Sequence, residues 1–312
     1  SPYEVNATSY RTTAVIIVTL QAFAGMWINA FIVSALCTAW IKKRSFNSLE
    51  KILLFLGCSR FCYLCFTWII QFLSTIYSWC FFVHPVPQLL AALQSFFDSS
   101  NLWVSACLCG FYCAKIANFR HILFTYLKVK IDRIVLWLLL GSVLLSLVFS
   151  ILVYNMTDKM LYDNINSTTL ANTWKPTPRM DAHFLPLFLT VGFIFSTAFV
   201  VVIFSALLLI FSLWRHKSNM QMNPVKNLSV EAHIKAMKNI LSFLFIFSFH
   251  FTCLVLNMID SINKYEVVTF FVLVFQYVFP TVHSLLLILS NPKLEKTLLK
   301  TLSCLKSKIC MR

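Results

Sequence analysis

Between Ala182 and Trp214 the chain carries no Asp, Glu, Lys or Arg, and the same holds for Thr12–Ile41, Ile134–Thr157, Asn239–Ile259 and Val267–Pro292. About 20 apolar residues carry a helix across a bilayer, so each run can cross once. The stretch Leu49–Asn118 is too long for one helix and breaks at His84-Pro85-Val86-Pro87, where prolines remove backbone donors and disfavour helix before them. It supplies two further spans. The expectation is an all-α membrane protein, a seven-transmembrane helix bundle forming one domain over 1–312, with spans at about 12–41, 49–79, 88–118, 134–157, 182–214, 235–259 and 266–291.

Composition closes the other classes. Hydrophobic residues make up 59% and charged residues 12%, against about 25% charged in soluble domains. Five glycines exclude collagen and Gly-rich phosphate loops, and 31 phenylalanines exclude disorder. A net charge of +15 would suit nucleic acid if it covered one soluble face. Here the charges punctuate uncharged runs, so no nucleic-acid partner is expected. Most cysteines, such as Cys58, Cys62 and Cys107, lie inside apolar stretches, where a thiol is a small hydrophobe. The segment Met156–Ala182 has no cysteine to staple it. The first apolar run is too long for a cleavable signal peptide.

Lysine and arginine set the orientation. Eighteen of the 26 fall on one set of connections, from Lys42, Lys43 and Arg44 to the tail, against five on the other. The N-terminus is thus expected outside and the tail in the cytoplasm. The sequons at Asn6, Asn155 and Asn166 fall on the outer side as glycosylation requires, while that at Asn227 faces inward. After Asn291-Pro292 the tail reads as an amphipathic helix over about 292–310, with Leu294, Leu298, Leu302 and Leu305 on one face. Such a helix lies along the inner leaflet, so membrane lipids are partners. Cys304 and Cys310 are either palmitoylation sites or plain thiols. No internal repeat appears, which argues against the commonest transporter designs.

Polar residues inside spans are functional candidates. Arg60 stands mid-span and must find acceptors, with Asn29, Ser284 or backbone carbonyls of the seventh span as candidates; it reads as a structural pin. Gln94, Asp98, Asn101 and Ser105 recur at steps of four, three and four, so they share one face of the third helix. That stripe is either interhelical glue or the floor of a polar cavity opening outward. His250 and His283 lack the company of a zinc site, and no metal or cofactor is called for. Asp98 is the only carboxylate buried in a span, and no hydrolase or nucleotide-binding motif is present. An enzyme is not expected.

Six segments together resemble one family. They are Asn29 with Phe31-Ile32, Ser59-Arg60, the run from Phe111 to Phe119, the run from Leu208 to His216, Ala232-His233 through Lys238, and Pro280 with His283-Ser284-Leu285 and Asn291-Pro292-Lys293-Leu294. In that order they resemble the bitter taste receptors (type 2 taste receptors), a family of G-protein-coupled receptors, over nearly the whole chain. The lack of an outer disulfide is similar too, as is a sequon in the second outer loop. The rival readings are a vomeronasal-type pheromone receptor, which would normally show outer cysteines, and a small-solute transporter.

The resemblance implies a plasma-membrane, multi-pass receptor for small-molecule bitter agonists, coupled to a heterotrimeric G protein of the gustducin type or a related inhibitory class. It implies a ligand wall of Gln94, Ser95 and Asp98 from the third span, Phe247, His250 and Leu254 from the sixth, and Leu273 and Gln276 from the seventh. It implies a G-protein cleft at Tyr112, Lys115, His216 and Lys238. Many members carry Trp and Asn where this chain has Gln94 and Asp98, and a proline near Ala198. With no Lys or Arg nearby on its face, the cation open to Asp98 is His250 or an amine-bearing ligand, the alternative being that Asp98 only hydrogen-bonds Asn101 or Gln276.

Overall fold

The structure is a computed structural model that describes residues 2–77, 79, 83–116, 122–170, 184–220, 241–242, 244–249, 251–253, 255–256 and 266–310. Side chains at 2–12, 160–170, 216–220, 266–270 and some single positions lie outside the described set. The elements are α1 (Pro2–Lys43), α2 (Ser48–Ile76), α3 (Val86–Ile116), α4 (Ile122–Leu170) and α5 (Phe184–Met220). They continue with α6 (Leu244–Cys253), α7 (Glu266–Ser290) and α8 (Pro292–Cys310). No strand occurs among the described residues.

Four helices are long and apolar enough to cross a membrane: Val15–Lys43, Ser48–Ser74, Thr125–Lys159 and Leu189–Ser212. Leu244–Cys253 and Tyr277–Ser290 are shorter apolar helices. Helix α4 overruns its expected span at both ends. Its 49 residues reach about 73 Å at 1.5 Å per residue, against a hydrocarbon core of about 30 Å. Charges such as Lys128, Asp132 and Arg133 mark where an apolar run stops, but they are good helix formers or neutral ones and need not stop the helix.

Local signals explain the ends. After α1, Arg44 takes the left-handed conformation at φ 52° and its amide donates to Trp40 O at 2.6 Å, the bond that closes a helix C-terminus. Asn47 precedes α2, and Glu50 Oε2 accepts the Asn47 amide at 3.1 Å, half of a capping box. One residue separates α7 from α8. That residue, Asn291, accepts the Lys293 amide on its side chain at 3.0 Å, and Pro292 fills the first helical position, where its missing N–H costs nothing.

Helix α3 packs on α2, α4 and α5, while α1 packs on α2 and α7. The α3–α4 seam is a serine ladder at steps of four. Ser150 Oγ donates to Ala92 O at 2.8 Å and Ser146 Oγ to Ser99 Oγ at 3.3 Å, and Ser142 Oγ lies 3.3 Å from Cys107 Sγ. Small hydroxyl residues allow this close approach. On α1, a Cβ at Gly25 would lie 2.6 Å from Leu64 Cδ1 and collide with Thr281 Oγ1, so a larger residue would force the Leu64 and Thr281 side chains aside where α1, α2 and α7 meet.

Three apolar clusters fill the interior. One, at the α8 end, gathers Ile32, Leu36, Leu53, Leu56, Leu108 and Leu294. A second joins Leu102, Phe195, Ala198, Val202, Phe247 and Phe279, and a third joins Val18, Ala22, Tyr63, Leu64 and Tyr277. Leu294 is buried and Leu298 packs on the first cluster, so the opening turns of α8 lay their apolar face on the bundle. Leu302 is exposed, and the Leu305 side chain lies outside the described set.

Candidate functional site

Arg60 has 0% exposure, and it sits on α2 between Leu56 of the first cluster and Leu64 of the third. A guanidinium offers five N–H donors and no acceptor, so burial obliges its neighbours to accept. Nε donates to Asn101 Oδ1 at 2.9 Å, Nη1 to Ser284 Oγ at 2.8 Å, and Nη2 to Ser105 Oγ at 3.2 Å. Nη2 also donates to His283 Nδ1. That nitrogen must therefore be bare, which makes His283 a neutral ring with its proton on Nε2.

The acceptors are themselves held. Ser284 Oγ donates to Asn29 Oδ1 at 2.7 Å, and Asn29 Nδ2 donates to Gly25 O at 2.8 Å. Ser105 Oγ donates to Asn101 O at 2.8 Å. The network thus ties α1, α2, α3 and α7, and all its members are buried. Asn29 reaches Arg60 through Ser284 and not directly. Asn101, Ser105 and His283 were not expected as its partners. The signal for them was available: five donors outnumber the two side-chain acceptors, Asn29 and Ser284, expected beside backbone carbonyls.

The α3 stripe divides. Its lower half, Asn101 and Ser105, belongs to the arginine network. Its upper half, Gln94 and Asp98 with neighbouring Ser95, is half-buried. Among the described residues the Asp98 carboxylate accepts no hydrogen bond and pairs with no cation.

The other expected ligand residues divide as well. Phe247 of α6 is 1% exposed and packs among rings of α5 and α7, 5.8 Å from Phe199 and 5.9 Å from Phe279. His250 and Leu254 lie outside the described residues. Leu273 and Gln276 belong to α7, and their side chains lie outside the described set.

At the α8 end, Tyr112 is half-buried on α3. Lys115 Nζ donates to Asp132 Oδ2 of α4 at 2.8 Å and stands 5.9 Å from the Phe111 ring centre. His216 lies on α5 with its side chain outside the described set, and Lys238 lies outside the described residues. Beside this end, Lys293 of α8 pairs with Glu50 of α2. Of the sequon residues, Asn155 is exposed on α4. Asn6 and Asn166 lie within α1 and α4, and their side chains are outside the described set.

Long apolar helices packed around a buried, hydrogen-bonded guanidinium define a helical membrane protein. Comparison with known proteins gives the family. The family described as taste receptor protein (TAS2R) matches residues 7–306. The chain is similar to taste receptor type 2 member 9 of Macaca mulatta, 31% identical over 299 residues that cover 94% of each chain. It is similar to the Homo sapiens member 9 at 31% over 297 residues, again 94% of each chain. Taste receptor type 2 member 7 of Papio hamadryas is likewise 31% identical, over 94% of this chain and 93% of its own. The chain belongs to the type 2 taste receptor family, the bitter taste branch of the G-protein-coupled receptors. This is the family that the six sequence segments resemble, and it is a receptor family, not an enzyme class.

Proposed function

We propose that this chain crosses the plasma membrane seven times with its N-terminus outside. In this reading it takes small bitter compounds into an outward-facing pocket and activates a gustducin-type or related inhibitory-class G protein. The observation that carries the ligand reading is the divided α3 stripe: Gln94, Ser95 and Asp98 stay half-buried and unclaimed by the frame that holds Asn101 and Ser105. A wall of that kind is mostly apolar with few polar points, the usual make-up of a small-molecule site. Phe247, His250 and Leu254 from the sixth span and Leu273 and Gln276 from the seventh complete the wall.

Asp98 gives that pocket a chemical preference. A carboxylate that has no partner among the described residues either stays ionised beside a cation or takes up a proton. An amine-bearing ligand supplies the cation. The G-protein cleft lies at the α8 end, where Tyr112, Lys115, His216 and Lys238 offer a basic, partly apolar groove for an amphipathic helix. The sequons at Asn6, Asn155 and Asn166 are glycosylated on the outer side.

The test is a calcium response. Cells given this chain and a promiscuous G-protein chimera should respond to at least one member of a bitter-compound panel. Uptake of solute by liposomes carrying the chain, with no G-protein response, would replace this reading with that of a transporter.

A further inference from the structure

Helix α4 begins well before its apolar run, and its opening turns carry two unlike faces. Ile131, Val135 and Leu139 are buried and belong to the first apolar cluster. Lys128 stands three residues before Ile131 and seven before Val135, so it shares their side of the helix. The opposite side carries Tyr126, Lys130, Arg133 and Trp137, all exposed, at steps of four, three and four. Lys130 Nζ donates to Tyr126 Oη at 3.0 Å and stands 4.5 Å from the centre of its ring. Asp132 lies between Lys130 and Arg133 in sequence but pairs with Lys115 of α3. Among the described residues no carboxylate pairs with Lys130 or Arg133. Trp137 is 70% exposed, so packing within the bundle does not account for it.

Depth follows from the sequence. Arg133 directly precedes the charge-free run Ile134–Thr157, so it marks the edge of the hydrocarbon. At 1.5 Å per residue, Lys130 lies about 4.5 Å outside that edge and Trp137 about 6 Å inside it. The headgroup layer is about 5–8 Å deep on each side, so Arg133 and Lys130 stand at its inner and outer parts. Beyond Trp137 the same line continues as Leu140, Leu144 and Val148, all exposed. Helix α8, the other basic helix, packs on α7 and α1 and not on α4 among the described residues.

We infer that this face of α4 holds one phosphoinositide, an inner-leaflet phospholipid whose head carries a phosphomonoester beyond its phosphodiester. The inference rests on the orientation proposed above, which puts this end of α4 in the cytoplasm. Each phosphate has its own partner. The phosphodiester lies at the hydrocarbon edge, where the Arg133 guanidinium can donate two parallel N–H bonds to its oxygens. One turn further out, Lys130 meets the monoester as a point charge. The Tyr126 ring already holds that ammonium against the helix, so less side-chain freedom is lost when the lipid binds. Trp137 sits at the depth that an indole prefers, with its ring among the acyl chains, and the chains run on along Leu140 and Leu144. A phosphatidylcholine or phosphatidylserine head offers one phosphate and then an ammonium group, which Lys130 repels.

The full chain is purified in detergent and mixed with equal amounts of phosphatidylinositol 4-phosphate, phosphatidylserine and phosphatidylcholine, and native mass spectrometry reads which lipid it retains. Wild type should keep the phosphoinositide over phosphatidylcholine by about thirtyfold, the product of two basic groups at about fivefold each. Lys130→Ala and Arg133→Ala should each lower that ratio by about fivefold, and the double variant by about thirtyfold. Lys128→Ala removes the same charge from the inward side and should stay within about twofold of wild type, since that side is not part of the site. All three side chains are exposed, so each variant should melt as wild type does without added lipid. Where Arg133→Ala lowers the yield, Arg133→Gln keeps the stem without the charge and gives the same comparison. Equal losses at Lys128 and Lys130, or equal retention of phosphatidylserine and the phosphoinositide, overturn the site and leave only a diffuse attraction of charge. Loss of G-protein nucleotide exchange in the double variant, with lipid retention unchanged, overturns it too and gives the face to the G protein. Orientation is read apart from lipid: an N-terminal tag that antibody reaches only in permeabilised cells overturns the orientation and the inner-leaflet placement, whatever the purified chain retains.

Discussion

Replacing Arg60 by alanine should cost the fold much of its stability, and the network allows the size to be worked out. Four acceptors face the guanidinium. Ser105 and Ser284 keep their own donor bonds, to Asn101 O and Asn29 Oδ1, so their hydroxyls are not orphaned. Asn101 Oδ1 and His283 Nδ1 lose the Arg60 donors that they accept from. At about 1–3 kcal/mol for each buried acceptor left unmade, the loss is about 2–6 kcal/mol. That is a large share of the 5–15 kcal/mol typical of a folded protein. Arg60→Lys should be no milder, since it keeps the buried charge but its three donors radiate from one nitrogen and cannot reach the four acceptors spread around the guanidinium. Surface biotinylation should show a marked drop for both variants, and melting in detergent should shift down by roughly 3–9 °C. Wild-type surface level and melting temperature, with agonist potency alone altered, would refute the reasoning and make Arg60 a ligand contact.

Three further outcomes are expected. Asp98→Asn should weaken an amine agonist by about tenfold and its neutral isostere little; opposite charges about 4 Å apart at an effective dielectric near 20 attract by about 4 kcal/mol, and a third of that suffices. Equal losses for both compounds in a dose–response comparison would make Asp98 structural. Lys115→Asp should lower G-protein coupling, and adding Asp132→Lys should not restore it. An exposed pair is worth only about 0–1 kcal/mol, so rescue by the swap in a nucleotide-exchange assay would show that the lysine serves α4 and not the G protein. Gly25→Ala should destabilise by about 1–3 kcal/mol through overpacking. Thr281→Ala in the same chain should recover part of the melting temperature, because it removes the hydroxyl that the new methyl strikes.

Reading the sequence went furthest where one term dominates. Length of apolar run decides where a helix can exist. Asn291 followed by Pro292 marks the junction between α7 and α8, because the two residue types suit adjacent positions of a helix start. The need of Arg60 for acceptors was equally plain, since a buried cation has no other option. What it bonds to was only half legible: Ser284 was named, but Asn101, Ser105 and His283 depend on how four helices are rotated against one another. Helix α4 extends beyond its apolar run because helix propensity, unlike lipid solubility, does not change sign at a lysine. The rings were the least legible of all. With 31 phenylalanines in the chain, nothing in their spacing says that Phe199, Phe247 and Phe279 meet.

The divided stripe on α3 bears on how such a chain can change over generations. Asn101 and Ser105 are locked to the frame, and altering either leaves Arg60 short of an acceptor. One or two turns along the same helix, Gln94 and Asp98 answer to no partner among the described residues. Substitutions there break none of the frame's bonds and so sit far from the stability threshold below which a fold is purged. Effects at sites without shared partners add independently. Random drift can therefore rewrite the upper positions one at a time while the scaffold underneath stays folded and, on the ligand reading proposed above, each change samples a new ligand chemistry.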